Sequence, residues 1–285
     1  MTVRVPAKVN LHLQVQPPRP DGFHPIATVF QAVALFDELT ATSGEGLTLA
    51  VEGAELRADA TNLAWRAAEL LARTAGVAAN VHLQLRKAIP VAGGMAGGSA
   101  DAAAALLACS LLWGISTDLA PLAAELGSDV AFPLLGGTAV GTGRGEVLTS
   151  VECAQLHWAF AFAEFGISAG DAYRELDRQR ELGAAPPMAD GPDALVAALR
   201  GGDVDEIGPL LHNDLQAAAL ALAPALRATL DAGLAAGAVA GLVSGSGPTC
   251  AFLCRSSAHA RAVADGLDGR TAPATGPVGG ATVLA

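Results

Sequence analysis

The sequence predicts an α+β protein built as two lobes, and three observations carry that reading. The first half alternates strand-like and helix-like segments, and the second half is richer in helical patterns. Within the first half, a glycine-rich stretch joins a strand to a long apolar helix. At 285 residues, with 52% hydrophobic and 16% charged side chains, the chain can bury a sizeable core, which excludes disorder and a coiled coil. Aromatics make up only 4% while glycines number 33, so Ala, Leu and Val must form the core between closely approaching backbones.

The elements follow in chain order. Val9, Leu11, Leu13 and Val15 alternate within Val3–Gln16 and predict a half-buried strand, followed by a Pro/Gly/Asp loop over Pro17–Phe23. Leu47–Glu52 reads as a strand. Asn62–Ala75 carries Leu63, Ala67, Leu70 and Leu71 at helical spacing and stops at Gly76. Val81, Leu83 and Leu85 alternate toward Pro90. Helices follow over Asp101–Trp113, ended by Gly114, and over Asp118–Leu126, ended by Gly127. His157–Ala163 is the next strand. Helical patterns then cover Asp171–Leu182, Asp193–Leu199, Asp205–Leu211 and Pro224–Ala235, with a loose Ala/Pro/Gly segment at Gly183–Pro192. Val239–Val243 and Thr249–Cys254 read as strands, Ala258–Leu267 as a helix and Thr282–Leu284 as a last strand. The expected lobes are residues 1–152 and 153–285, divided where helix becomes more frequent.

Charge and composition narrow the function. With 28 acidic and 17 basic side chains the net charge is −11, so a basic surface for nucleic acid is missing. The amino terminus has no apolar signal core, and the most apolar stretch, Ala102–Ile115, is shorter than the ~20 residues that span a bilayer. A cytoplasmic protein without membrane partners is expected, as monomer or homodimer. Cys250 and Cys254 are spaced CxxxC, but no second ligand pair supports zinc, and all four cysteines are read as thiols.

The strongest local signal is Pro90-Val91-Ala92-Gly93-Gly94-Met95-Ala96-Gly97-Gly98-Ser99-Ala100, leading into an apolar helix. Glycines let an anion approach backbone amides closely, and a helix amino terminus offers unpaired N–H groups and a positive dipole end. Ser99 adds a hydroxyl for a phosphate or a phosphate-bound metal. Neither Gly-Lys-Ser/Thr nor GxGxxG occurs, so the two commonest phosphate loops are excluded. A turn that merely permits tight helix–strand packing is the competing reading.

This loop resembles the nucleotide loop of the GHMP kinase superfamily. Pro6-Ala7-Lys8-Val9-Asn10-Leu11 and Ser244-Gly245-Ser246-Gly247-Pro248-Thr249-Cys250 resemble that superfamily's first and third motifs. Asp21-Gly22-Phe23-His24, Thr61-Asn62-Leu63, Gly127-Ser128-Asp129-Val130 and Asn213-Asp214-Leu215 fit best a member whose acceptor is a cytidine-diphosphate-linked polyol.

The resemblance implies a GHMP kinase-like fold with its active site in the cleft between lobes. It further implies transfer of the ATP γ-phosphoryl group to an acceptor hydroxyl, in isoprenoid synthesis. Asp129 would be the catalytic base and Lys8 the catalytic cation. Read alone, Asp129 better fits a turn after a helix and Lys8 a solvated strand end. ATP would lie on residues 90–100 with Asn62 and Leu63, although Asn62 could equally cap its helix. Asn10 and His24 would contact the acceptor. Phe23 and Tyr173 would sandwich its cytosine, because a flat aromatic face suits a nucleobase; surface packing of a helix is the other reading of Tyr173. Mg²⁺ is expected as cofactor, held mainly by ATP itself, with no protein carboxylate identified as its ligand.

Several positions depart from the superfamily pattern. Met95-Ala96 stand for Leu-Gly, Ala100 for a second serine, and Ala169 for a threonine before the stacking aromatic. Because the net charge is negative and both substrates are anionic, positive potential must be local. Lys8, Lys87, Arg144, the helix terminus after Gly98 and Mg²⁺ are the expected sources. The competing functions are a homoserine, mevalonate or sugar kinase of the same superfamily, and a nucleotide-binding protein without catalysis.

Overall fold

The computed structural model describes residues 1–284. The first strand, β1 (Thr2–Val15), is almost wholly buried and carries its apolar residues at alternate positions. Val3, Val5, Ala7, Val9 and Leu11 face the larger core, while Leu13 and Val15 reach the smaller one. Its antiparallel partner β2 (Ile26–Ser43) is 18 residues long and was absent from the sequence expectation. The run IATVFQAVALFDELTATS has too few turn residues to be punctuated and too many small residues to alternate clearly. β3 (Leu47–Glu52), α1 (Leu63–Ala75) and β4 (Val81–Arg86) match expectation within a residue. α1 begins at Asn62, whose side chain accepts from Ala64 N, and ends at Gly76, whose φ of 69° no β-carbon opposes.

α2 (Gly97–Leu112) starts four residues before the expected Asp101, so the glycines themselves form its first turn. Its Ala and Leu side chains are buried nearly all round, as its uniform apolarity requires. α3 (Ala120–Leu126) follows, then α4 (Ala131–Leu135), β5 (Thr138–Thr142) and β6 (Val147–Ser150), three short elements that left no periodic trace in the sequence. Residues 151–155 carry no regular element, and β7 (Leu156–Phe162) begins a second sheet.

The remaining helices are α5 (Ala169–Glu181), α6 (Asp193–Gly201), α7 (Val204–Ile207) with a 3₁₀ turn to Leu210, α8 (Gln216–Leu222), α9 (Ala225–Ala235) and α10 (Ser257–Asp265). The strands among them are β8 (His212–Asn213), β9 (Ala240–Val243), β10 (Cys250–Cys254), β11 (Arg270–Gly276) and β12 (Thr282–Leu284). α8 and β11 had not been expected from the sequence.

The first sheet has eight strands along the path β12-β1-β2-β4-β3, with β5 on β2, β6 on β5 and β8 on β1. The length of β2 explains this branching, since Glu38–Ser43 pair with β4 while Thr28–Gln31 pair with β5. The second sheet is β11-β7-β10-β9. α1, α2 and α3 cover the first sheet, and α5, α8, α9 and α10 pack a second core around β7, β9 and β10. The chain is therefore mixed α and β in two layered lobes, with β8 and β12 returning from the second half of the sequence to the first sheet. Among the described residues no helix is long and apolar enough to cross a membrane. All four cysteines are free.

Candidate active site

A cleft of about 500 Å³ opens between the lobes. Its floor is β1. Register shifts between Pro6 and Ala7 and between Asn10 and His12 bracket the segment that carries Lys8 and Asn10, and such bulges re-aim side chains. Lys8 is only 5% exposed. Its ammonium donates to Asn10 Oδ1 (2.5 Å) and to the Gly94 carbonyl (3.0 Å), and lies 3.8 Å from Asp129 Oδ2. Burial pushes the Lys8 ammonium below the ordinary lysine value, and the Asp129 charge offsets part of that shift. Asn10 is fixed in turn by donating to Thr28 Oγ1 (2.9 Å), whose own hydroxyl donates to the His12 carbonyl (2.7 Å). Asp129 sits in the turn between α3 and α4, one third exposed, with Gly127 and Ser128 beside it in the cleft wall.

The glycine-rich loop forms the opposite wall. Ala92, Gly93, Gly94, Ala96, Gly97, Gly98 and Ser99 line the cleft, whereas Met95 and Ala100 are buried beneath it and Pro90 and Val91 lie outside the lining. The left-handed residues here are Gly94 (φ 73°) and two alanines, Ala92 (φ 50°) and Ala96 (φ 57°). Backbone strain of this kind persists only where surrounding contacts impose it. Those contacts come from the Ser244–Thr249 loop: a β-carbon on Gly94 would lie 2.0 Å from the Ser244 carbonyl, and Ser244 Oγ donates to the Gly94 carbonyl. Ala96 gives α2 no side-chain cap, and its first turn carries no acidic residue. The N–H groups of Gly97, Gly98 and Ser99 are thus left for a ligand.

Leu63 and Gly98 line the cleft and also a smaller cavity of about 290 Å³, together with Asn62 and Asp101. The two volumes adjoin. Both ends of the Asn62 amide are engaged, Oδ1 by Ala64 N and Nδ2 by the Arg57 carbonyl, so its side chain serves as a helix cap. Lys87 is not a free charge for phosphate. It is buried between Asp37 and Asp101, 2.9 Å from the latter, and its positive charge is spent there. Arg144 does line the cleft.

On the other lobe Tyr173 lines the cleft, and burial followed by the Asp129 charge raises its phenol above the ordinary tyrosine value. His24 is not in the lining but packs against Tyr173, the rings tilted by 33° with centroids 4.9 Å apart, and its Nε2 meets Asp177 at 2.9 Å. Phe23 is 52% exposed at the rim, where the Arg144 guanidinium lies 5.2 Å from its ring centre. Of the residues expected from the sequence, Lys8, Arg144 and Tyr173 line this opening and Phe23 and His24 lie beside it, whereas Lys87 does not reach it.

Thr28, Asp177 and Ser246 were not singled out. Asp177 follows Tyr173 by four residues, one helical turn, and that spacing was the available signal. Thr28 had none, since its strand was not seen. Ser168 also faces the cleft and its side chain makes no capping bond, next to the alanine where the superfamily pattern has threonine.

Comparisons with known proteins agree with this architecture. Residues 62–137 match the GHMP kinases N terminal domain, and residues 195–273 match the GHMP kinases C terminal domain. A 4-diphosphocytidyl-2-C-methyl-D-erythritol kinase of Mycobacterium tuberculosis is 53% identical, covering 100% of this chain and 93% of its own. The enzyme of the same name from Salinispora arenicola is 55% identical over 99% of this chain and 93% of its own. A crystal structure of 4-(cytidine 5'-diphospho)-2C-methyl-D-erythritol kinase superposes with a TM-score of 0.81 at 33% identity, over 96% of this chain and 98% of that one. A homoserine kinase from Cytophaga hutchinsonii shares the fold (TM-score 0.77) at 20% identity, over 100% of this chain and 97% of that one. This chain is a small-molecule kinase of the GHMP kinases, and within them it belongs to the family of the 4-diphosphocytidyl-2-C-methyl-D-erythritol kinases.

Proposed function

We propose that this protein uses ATP to phosphorylate a hydroxyl of 4-diphosphocytidyl-2-C-methyl-D-erythritol, giving the 2-phosphate, as a cytoplasmic step of isoprenoid synthesis. The observation that carries this reading is the Lys8–Asp129 pair on the cleft floor, between an uncapped helix terminus and an aromatic rim.

In the proposed mechanism the amides of Gly97, Gly98 and Ser99 hold the ATP phosphates, because their N–H groups are unpaired and the first turn of α2 carries no acidic residue. Leu63 and the groove beside Asn62 receive the adenine. Asp129 accepts the proton of the acceptor hydroxyl as its oxygen bonds to the γ-phosphorus and the bond to ADP breaks. Lys8, 3.8 Å from the Asp129 carboxylate, faces the charge that grows on the transferred group. Phe23 and Tyr173 take the cytosine between them, with His24 held against Tyr173 by Asp177.

Mg²⁺ carried mainly on ATP oxygens belongs to the same proposal. Ser99 would contribute the hydroxyl ligand, and the ion would supply neutralisation of phosphate charge. The lobe division at residues 152/153, nucleotide side and acceptor side, belongs to the same proposal.

The test is ATP consumption by purified protein with 4-diphosphocytidyl-2-C-methyl-D-erythritol, compared with homoserine, mevalonate and galactose. Turnover confined to the cytidine-linked acceptor is expected. Folded, ATP-binding protein that turns over only a small alcohol would overturn the substrate.

A further inference from the structure

A second cavity, about 230 Å³, lies outside the cleft between α5, α8, α9 and β9. Its walls are apolar where Leu176, Leu220 and Leu242 line it, and its polar groups are unevenly matched. The carboxylate in the wall, Asp214, is already served. Its Oδ1 accepts from Ala189 N (3.1 Å) and contacts His212 Nε2 (2.8 Å), and its Oδ2 accepts from Val15 N (2.8 Å). Burial pushes this carboxyl up, but those hydrogen bonds outweigh it and hold the group below the usual range. Asp214 therefore has little capacity left for a ligand.

Three side chains of the wall, Arg180, Gln216 and Arg227, have donors to spare. Arg180 uses Nη2 on the Val15 carbonyl (2.6 Å) and lies 3.8 Å from Asp214 Oδ2, while its Nη1 is buried with no partner. Arg227 lines the same cavity and forms no salt bridge or side-chain hydrogen bond among the described residues. Gln216 accepts from Val243 N through Oε1, which leaves its amide nitrogen as a donor. A buried donor without a partner costs free energy comparable to a lost hydrogen bond, so Arg180 Nη1 calls for an acceptor, beside which the exposed Arg227 and the Gln216 amide nitrogen offer further donors.

Separate donors from two guanidinium groups and an amide suit a tetrahedral anion. A carboxylate, by contrast, is satisfied by one guanidinium in one plane. At ~30 Å³ per water-sized group the volume admits about eight non-hydrogen atoms. We propose that this cavity is a second small-molecule site, distinct from the catalytic cleft, that takes a phosphate monoester with a short apolar body. It lies one helical stripe from the acceptor side, since Leu176 and Arg180 follow Tyr173 and Asp177 by three residues on α5.

The experiment is calorimetric titration with n-propyl phosphate, with the catalytic cleft first saturated by a non-hydrolysable ATP analogue and the cytidine-linked acceptor. Inorganic phosphate and n-propanol are titrated in parallel. Binding that persists with the cleft filled, is tighter for n-propyl phosphate than for either fragment, and weakens at least ~10-fold in Arg227→Gln is expected from loss of a charge-assisted donor. Ala217→Leu, which fills the cavity and keeps every charge, is expected to weaken it similarly. Steady-state turnover of both variants without n-propyl phosphate should match wild type, which shows that they are folded. Binding abolished by filling the cleft, or unchanged in both variants, overturns the site.

Discussion

The Lys8 ammonium lies 3.8 Å from the Asp129 carboxylate although the two residues are 121 positions apart, one on the first strand and the other in a turn between two short helices. Lys8 is almost fully buried, while Asp129 remains open to the cleft. A buried cation beside a carboxylate that is open to the cleft places both groups where an acceptor hydroxyl can reach them.

Removal of the carboxylate separates chemistry from binding. Asp129→Ala is expected to lower kcat by at least ~10²-fold, the low end of general-base contributions, with nucleotide affinity nearly unchanged. Steady-state rates together with a fluorescent-nucleotide titration check it. A variant with wild-type kcat would remove Asp129 from the mechanism.

Asp177 is a positioning residue. It meets His24 Nε2 at 2.9 Å, and that contact fixes the imidazole against Tyr173. Asp177→Asn is expected to raise KM for the cytidine-linked acceptor several-fold while leaving kcat and the ATP KM close to wild type, and Asp177→Glu should recover part of the loss. Equal changes in both KM values would point to a general structural effect instead.

Gly94 couples the two loops of the cleft. A methyl group there would lie 2.0 Å from the Ser244 carbonyl on a backbone with φ 73°. Gly94→Ala is expected to destabilise the protein by roughly 1–3 kcal/mol, the cost of a strained backbone position, and to raise the ATP KM. Thermal denaturation and nucleotide kinetics read the two effects. Gly76→Ala, also at positive φ but with open space around it, should lower stability without changing the ATP KM.

The buried trio Asp37–Lys87–Asp101 gives a pH dependence of stability. Burial pushes Asp101 up from 3.8 to about 7, partly countered by Lys87, and its Oδ1 has no hydrogen-bond partner. A raised pKa means that the folded state holds a proton the unfolded chain releases. The stabilisation is therefore full below the unfolded value and is lost as pH rises from about 3.8 through about 7. Relative to wild type, Asp101→Asn should become progressively more stable across that window, as urea denaturation at stepped pH would show. A difference independent of pH would sink the assignment.

Much of the architecture could be read directly from the chain. Helix α1 carries its own start and stop in Asn62 and Gly76, and β1 and β4 carry their alternation, because these signals are local and act through capping and burial period. The residues that meet at the cleft were legible as motifs, and the resemblance already paired Lys8 with Asp129, but the contacts that hold them in place were not legible. Strand β2, long enough to pair with β1, β4 and β5 at once, left no alternation to read, and with it went Thr28 and the support it gives Asn10.

By itself the sequence determined the classes of most elements, the place of the glycine-rich loop before a long helix, and the family. Each of these depends on residue types at fixed spacing. The tertiary structure decided which charges are free. Lys8 and Lys87 are both lysines in a negatively charged chain, yet one reaches the cleft and the other is spent on two buried carboxylates. Composition counts them alike, but only packing sets the distance to a counter-ion and the water left around it, and those two quantities govern what a charge can do.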